Sequence, residues 1–341
     1  MFSKKFYVVV CLFAMSFVFA QNNLFEGASR SGFMHAGNGP ITSANVVSNS
    51  LETIMQKQAT LGKDSFLVAV LRYEHVRFPF PLPAVGTRER VSGNIYGGML
   101  GFAYDFGGSQ ESSSQEESLP KPSFSVGAVG IYDAIRFDLT NVVTVPPDNE
   151  ELDCHRFGYI VYGTASLPLN KELSVSFTLS HSCIVVNPES MFDFVKTDTV
   201  SSFGFGAYLK ANYRMELAQS KSQFFQFIDL SLGFSYQYEN DDSDIKNTGI
   251  DIPEWDYQDF IKASAGIRFT AEKLTIVFLC SYASNISPYS DELVDHDFVE
   301  LNIELAYHIL ESVSLNVGYK KVFDYDEFDS HTFTLGSTLE F

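Results

Sequence analysis

The chain ends on His331-Thr332-Phe333-Thr334-Leu335-Gly336-Ser337-Thr338-Leu339-Glu340-Phe341. From Phe333 onward the odd positions carry Phe, Leu, Ser, Leu and Phe, whereas the even positions carry Thr, Gly, Thr and Glu. Because side chains alternate between two faces along a strand, this stretch predicts a β-strand with one apolar and one polar face. Such a strand needs a partner, and a sheet that closes into a barrel leaves no edge in lipid. An ordinary edge strand ending in Phe is the alternative.

The composition favours a β protein. Of 341 residues 45% are hydrophobic, and Phe 32 and Tyr 17 are abundant. No internal apolar run reaches the roughly 20 residues of a membrane-spanning helix, and a mean hydropathy near zero is typical of strands that alternate apolar and polar residues. The net charge of -19, without a basic stripe, argues against nucleic acid as a partner.

The first residues predict export. Lys4 and Lys5 precede an apolar stretch that is too short to span a membrane, and small residues follow. This pattern predicts a signal peptide over residues 1–20, cleaved between Ala20 and Gln21. An uncleaved anchor is the alternative.

Residues 21–63 form a distinct N-terminal segment, rich in Asn, Ser, Gly and Ala. Within it, Val47, Leu51 and Ile54 recur at helical spacing, so we expect a short helix over residues 43–59. Thr42 or Ser43 could cap its start, and Gly62 could end it.

The strand patterns within residues 64–341 predict a barrel domain. Most of the predicted strands exceed the roughly 9–11 residues that a tilted spanning strand requires. An even number suits a bacterial single-chain barrel with both termini in the periplasm. The twelve predicted strands are 65–78, 91–106, 123–138, 155–167, 172–185, 200–216, 223–239, 256–270, 274–284, 297–310, 312–323 and 331–341.

The connections alternate in length after the third strand, as short periplasmic turns and long external loops do. We therefore predict an all-β, transmembrane, antiparallel up-and-down barrel whose N-terminal helix could lie in the lumen. Connection 107–122 is long on the short-turn side, and 324–330 is short on the long-loop side. The long connections are 139–154, 186–199, 240–255 and 285–296, and the short ones are 168–171, 217–222, 271–273 and the region of Glu311.

The polar faces of the strands predict the lumen wall, because apolar faces contact lipid in a membrane barrel. Strands three and nine do not show which of their faces points into the lumen, since both faces are apolar. The inward set could line a narrow pore or grip the helix, but we expect mixed charges to pair and fill a small lumen. The predicted lumen-facing residues are Lys210, Arg214, Glu216, Asp229, Lys262, Arg268, Glu300, Glu304, His308 and Lys320.

Other constellations are weaker. Acidic clusters at 239–244, 291–297 and 324–329 are expected to be solvated loops rather than Ca²⁺ sites, because EF-hand spacing is absent. Ser180-His181-Ser182 and His155 lack a nucleophile elbow, so we expect no enzyme. Neither a metal nor a cofactor is predicted.

The three cysteines outside the signal peptide include one close pair. Cys154 and Cys183 are expected nearly opposite each other on strands four and five, but on different faces. A disulfide would need a bulge, so we do not expect one.

The strand pattern resembles the β-domain of bacterial autotransporters, a twelve-stranded barrel with an N-terminal α-segment in its lumen. The resembling stretches are glycine-containing and lie at 93–104, 124–132, 263–269 and 335–341. Residues 21–63 are too few for a sizeable passenger domain. A second resemblance is to long-chain fatty-acid channels, which also have an N-terminal plug but more strands.

The final strand resembles the C-terminal signal of outer-membrane barrels, with Phe333, Leu335, Leu339 and Phe341 as its apolar positions. The resemblance implies outer-membrane lipid and the barrel-assembly machinery as partners, and a monomer. The function it implies is a plugged outer-membrane barrel with surface-exposed loops. A porin-like or lipid-conducting channel is the alternative, and an outer-membrane enzyme is a remote third.

Overall fold

A computed structural model gives the architecture of most of the barrel domain and part of the N-terminal segment. Helix α1 covers residues 47–55, inside the predicted 43–59. Within the described residues, no helix is long and apolar enough to cross a membrane. The structure describes residues 47–55, 65–81, 88–106, 122–138, 151–188, 200–217, 224–242, 258–285, 297–310, 312–324 and 329–340.

Twelve strands follow α1 and form one closed antiparallel barrel. Each strand pairs with its neighbours in sequence, and β12 closes the barrel on β1, from Phe66 opposite Glu340 to Arg77 opposite Asp329. The predicted fold class is therefore confirmed. The strands are β1 Phe66–Pro81, β2 Arg88–Asp105, β3 Ser123–Asp138, β4 Glu151–Pro168, β5 Leu173–Pro188, β6 Val200–Glu216, β7 Phe227–Asp242, β8 Gln258–Thr270, β9 Leu274–Asn285, β10 Asp297–Leu310, β11 Val313–Asp324 and β12 Asp329–Glu340.

The predicted strand boundaries agree closely with the observed ones. Strands β3, β6 and β10 have the predicted bounds, whereas β7 begins at Phe227 rather than at residue 223. The Leu217 amide donates to the Gln226 carbonyl at 3.0 Å, one position beyond the last ladder pair, Glu216 and Phe227. The aromatic residues Phe224 and Phe225 precede this pairing and lie outside the β7 ladder.

Side chains alternate along each strand between the outer surface of the barrel and its lumen. On β6, Phe203, Phe205 and Leu209 are exposed on the outside, whereas Tyr208 and Lys210 are buried. The same pattern recurs along most strands, so the outer surface is broadly apolar. A barrel that faces lipid needs this arrangement, which is the inverse of a soluble barrel.

The connections that the structure describes are tight turns. Between β4 and β5, the Asn170 side-chain oxygen accepts hydrogen bonds from the amides of Glu172 at 2.8 Å and Leu173 at 2.7 Å, as in an Asx-turn. Between β8 and β9, the Ala271 amide donates to the Leu274 carbonyl at 2.8 Å. Both turns lie at the end of the barrel where β1 begins and β12 ends.

Candidate functional site: the barrel lumen

Helix α1 lies inside the barrel. Its Ser48 hydroxyl is 3.3 Å from the Ser235 hydroxyl on β7, and the Thr178 hydroxyl on β5 donates to Met55 sulfur at 3.6 Å. Seven of its nine residues are buried, and Asn49 and Thr53 are half-buried. Contacts to strands on different sides of the barrel place the helix in the lumen.

One face of α1 is apolar. Val47, Leu51 and Ile54 are spaced one and two turns apart, so their side chains share a stripe. All three belong to one buried cluster with inward residues of the barrel, which we call the apolar wall. Each fully buried aliphatic side chain contributes about 1.5–3 kcal/mol. The apolar wall comprises Phe66, Val68 and Val70 of β1, Ala103 of β2, Val129 and Ile131 of β3, Ile160 and Tyr162 of β4, and Ile184 of β5.

The opposite face of α1 is polar and meets charged strands. The Lys262 ammonium lies 2.8 Å from a Glu52 carboxylate oxygen and 2.6 Å from a Glu300 carboxylate oxygen. It also donates to the Asn49 amide oxygen at 2.6 Å. The Asn49 amide nitrogen donates to Glu300 at 3.3 Å, and Lys320 lies 3.3 Å from the same carboxylate. We call Asn49, Glu52, Lys262, Glu300 and Lys320 the Lys262 cluster.

The Lys262 cluster balances its charges away from water. Its two ammonium groups face two carboxylates, and Lys262, Glu52 and Glu300 are all buried. Buried charges are tolerated when they are paired and hydrogen-bonded. Since Asn49 and Glu52 come from α1, the cluster ties the helix to β8 and β10.

A second buried ion network lies between β1, β3 and β4. The two carboxylate oxygens of Asp133 face Arg72 at 2.6 Å and Arg156 at 2.7 Å. Glu74 lies 4.0 Å from Arg72 and accepts a hydrogen bond from the Ser330 hydroxyl at 2.5 Å. The prediction did not include these four charged residues. The sequence pattern that could have indicated them is a charged residue among the otherwise apolar inward positions of β1, β3 and β4.

The predicted lumen set divides by depth. Lys210, Asp229, Lys262, Arg268 and Glu300 are buried, and Glu304, His308 and Lys320 are half-buried. Arg214 and Glu216 are exposed at the end of β6. The structure brings together Asp229 with Arg214 at 2.7 Å and with Arg268 at 3.5 Å.

A cavity of about 100 Å³ remains beside α1, between the helix and strands β9 to β12 with β1 to β3. Arg72, Glu304 and Lys320 line it. Asn316 Oδ1 and Thr332 Oγ1 are buried and have no hydrogen-bond partner among the described residues. Asn316 and Thr332 also line the cavity, so water or a polar solute there could satisfy them.

The closing strand carries its apolar residues on the outer surface. Phe333, Leu335 and Leu339 are exposed there, and β12 is paired on both sides, to β11 and to β1. Phe341 lies outside the described residues, as do Ala20 and Gln21 at the predicted cleavage site. The acidic segments 291–296 and 325–328 also fall outside, with residues 243 and 244.

The Ser–His stretch of β5 does not assemble a catalytic pair. Ser182 is buried and donates to Glu239 at 2.7 Å, whereas His181 points to the other face and its ring nitrogen lies 3.0 Å from the Gly204 carbonyl. Alternation along the strand separates them.

The expected proximity of Cys154 and Cys183 is wrong. Cys154 pairs in register with Pro188, and Cys183 pairs with Tyr159. The error arose because the turn lies later in the chain than predicted: β4 ends at Pro168 and β5 begins at Leu173, which shifts the register of the two strands. Cys183 is a free thiol.

Comparison with known proteins shows the fold. No protein-family model and no curated sequence matches the chain. Among solved structures it resembles the translocator domain of the autotransporter NalP from Neisseria meningitidis, with 8% identity, a TM-score of 0.54, and coverage of 90% of this chain and 99% of that one. It also resembles the transport unit of AIDA-I from Escherichia coli, with 12% identity, a TM-score of 0.53, and coverage of 86% and 98%. The β-domain of the Bordetella autotransporter BrkA gives 11% identity, a TM-score of 0.51, and coverage of 82% and 100%. The resemblance to autotransporter β-domains is thus confirmed at the level of the fold.

Proposed function

We propose that this chain is an integral outer-membrane β-barrel of autotransporter-like type, without catalytic activity, whose lumen is closed by its N-terminal segment. The observation that carries the proposal is the match between the two faces of α1 and the two sides of the lumen. Val47, Leu51 and Ile54 pack on the apolar wall, while Glu52 faces Lys262 at 2.8 Å. A helix that merely passed through the lumen would not need an apolar wall for its apolar face and a cation for its polar face.

The dimensions support closure of the lumen. An α-helix with its side chains is about 10–12 Å across, and the interior of a small barrel is readily filled by side chains. The helix α1 contacts β5, β7, β8 and β10, and the cavity of about 100 Å³ lies beside it. We infer that α1 reduces the lumen to a narrow polar gap.

The placement in the cell is part of the proposal. The exported chain would lose residues 1–20 by cleavage between Ala20 and Gln21, and would insert as a monomer into the outer membrane with both termini in the periplasm. The barrel-assembly machinery would recognise the closing strand, whose Phe333, Leu335 and Leu339 face outward. The long connections would then lie at the cell surface.

Planar-bilayer conductance tests the closure. The full mature chain is compared with a variant that lacks residues 22–62, after both show the heat-modifiable gel migration of a folded barrel. We expect little conductance from the full chain and steady, larger conductance from the deletion variant. Equal, steady conductance from both proteins would refute the closure.

A channel for small polar solutes is the second candidate, and the cavity favours it. Its lining includes Asn316 and Thr332, whose oxygens lack partners among the described residues. A channel predicts steady conductance with α1 in place, which falls when Thr332→Phe fills the cavity. If the full chain conducts and Thr332→Phe does not reduce the current, this cavity is not the pathway.

A further inference from the structure

The outer surface carries ordered rows of side chains across the seam where β12 meets β1. Ladder pairing aligns Val317, Leu335 and Leu71 in one row, and all three are strongly exposed. Two residues further along each strand, towards the end of the barrel with Pro81, the row becomes aromatic. The aromatic row consists of Tyr319, Phe333, Tyr73 and Tyr96, in that strand order.

The rings of the aromatic row pack in two pairs. Tyr319 and Phe333 have ring centroids 5.1 Å apart, and Tyr73 and Tyr96 have centroids 5.3 Å apart. Aromatic side chains concentrate at the boundary between lipid tails and head groups. The aromatic row therefore marks that boundary on β11, β12, β1 and β2.

Two residues further along each strand, towards the same end of the barrel, the next row consists of hydrogen-bonding and cationic side chains. Lys321, His331, His75, Asn94 and Arg136 are aligned across β11, β12, β1, β2 and β3. We call these five residues the basic row. Two residues advance about 6.6–6.8 Å along a strand, so the basic row lies beyond the aromatic row, on the side of the lipid head groups.

Contacts within the basic row fix its side chains. The Lys321 ammonium lies 2.9 Å from His331 Nε2, and the Tyr319 hydroxyl lies 2.7 Å from His331 Nδ1. His75 Nδ1 lies 3.0 Å from the Asn94 side-chain oxygen. These contacts engage both ring nitrogens of His331 and hold the Lys321 ammonium beside it.

The charge of this rim is asymmetric around the barrel. On the side of β7 to β10, the Tyr236 and Tyr282 hydroxyls donate to the carboxylates of Asp259 and Asp297. On the seam side, Asp153 pairs with Arg136 at 2.8 Å, and Asp329 is aligned with Arg77 one row beyond the basic row. The basic row thus stands out in a chain whose net charge is -19.

We propose that the basic row binds the phosphate groups of lipid head groups in the surrounding leaflet. The apolar row would contact the tails, the aromatic rings would lie at the boundary, and the Lys321 ammonium, which His331 Nε2 holds in place, would face the phosphate. The proposal rests on the transmembrane placement of the barrel and does not depend on closure of the lumen. Loss of one cationic residue beside an anionic membrane surface weakens binding by about fivefold.

Electron spin resonance of spin-labelled phosphatidic acid tests the proposal, with the full chain in phosphatidylcholine membranes. The test variant combines Lys321→Gln, His331→Gln and His75→Gln. The matched control combines Lys171→Gln and Lys273→Gln, two exposed lysines in the turns at the opposite end of the barrel. We expect the wild type and the control to select phosphatidic acid over phosphatidylcholine, and the triple variant to lose at least about fivefold of that selectivity.

Three results would overturn the proposal. The triple variant could retain the selectivity, the control could lose as much of it, or inorganic phosphate at equal concentration could abolish it, which would indicate a free-anion site. Heat-modifiable migration checks that each variant is folded, and the single variant Lys321→Gln carries the same test if the triple variant is not. If the chain does not form a membrane barrel, the wild type itself will not show heat-modifiable migration. If only the lipid-binding proposal is wrong, the wild type will fold and the triple variant will show the same lipid selectivity as the wild type.

Discussion

Lys262 is the residue on which the polar side of the lumen depends. It contacts Glu52 of the helix and Glu300 of β10 within 2.8 Å, and all three side chains are buried. Removing this one cation would leave Glu52 without its ammonium partner and Glu300 paired with Lys320 alone. Removing a carboxylate instead would leave Lys262 with the other one.

We therefore predict that Lys262→Met costs about 3–5 kcal/mol of unfolding free energy, as expected when one partner of a buried ion pair is removed. Unfolding of the barrel in lipid vesicles by denaturant, followed by gel migration, measures the change. Lys273→Met is the matched control, because Lys273 is exposed in the turn between β8 and β9. Equal stability of the two variants would show that the Lys262 cluster does not stabilise the barrel.

Gly97 tests the second ion network. A Cβ at this position would lie 1.9 Å from Asp133 Oδ1 and 2.5 Å from the Tyr132 carbonyl oxygen. We expect Gly97→Ala to displace Asp133 from Arg72 and to lower the unfolding free energy by about 1–3 kcal/mol. Gly130→Ala is the control, since its nearest atom would be 3.9 Å away. The same unfolding assay decides, and a Gly97→Ala barrel as stable as the Gly130→Ala barrel contradicts the prediction.

Sequence reasoning at the scale of single residues found charges but not their partners. Lys262 and Glu300 were both predicted as lumen-facing, yet nothing in the sequence indicates that they meet Glu52 of the helix. Their separation along the chain, and the free choice of rotation for α1, leave that pairing to the tertiary structure. Arg72 and Asp133 were missed because their strands are otherwise apolar on the inward face.

At the scale of elements, helix α1 accounts for the composition of strand β3. Both faces of β3 are apolar, so the sequence did not show which face points into the lumen. In the structure Val129 and Ile131 pack inward on the helix, while Phe124 and Tyr132 lie on the outer surface. The inward apolar face of β3 is therefore explained by its contact with the apolar face of α1.

The seating of α1 depends on the absence of a side chain at Gly101 of β2. A Cβ there would lie 2.4 Å from Ile54 Cδ1 and 3.0 Å from Val68 Cγ1. Ile54 could yield to a methyl group, but we expect the larger Gly101→Leu to displace the helix from the apolar wall. The prediction is a severalfold rise in bilayer conductance while the heat-modifiable migration of the barrel is retained.

Gly130→Leu is the matched control for this change, because it adds the same side chain to the outer surface of a neighbouring strand. Its conductance should equal that of the wild type. If Gly101→Leu conducts no more than Gly130→Leu, then either α1 remains seated or the helix does not limit the current. The variant lacking residues 22–62 separates these two explanations.

At the scale of the whole molecule, the sequence predicted the barrel well because two periodic signals agree. Alternation within strands and alternation of connection length both report the same topology, and neither depends on which side chains meet. Closure of β12 on β1 followed from the need to leave no edge in lipid. The contents of the lumen depend on packing and on long-range ion pairs, which have no period.

The orientation of the barrel in the membrane gives the last prediction. The chain passes from β7 to β8 at one end of the barrel and from β6 to β7 at the other, because neighbouring strands are antiparallel. With both termini in the periplasm, a protease site inserted between residues 249 and 250 should be cut on intact cells. The same site between residues 220 and 221 should be cut only after the outer membrane is permeabilised. The two insertions control for each other, and the reverse pattern would place the termini at the cell surface and the basic row towards the periplasm.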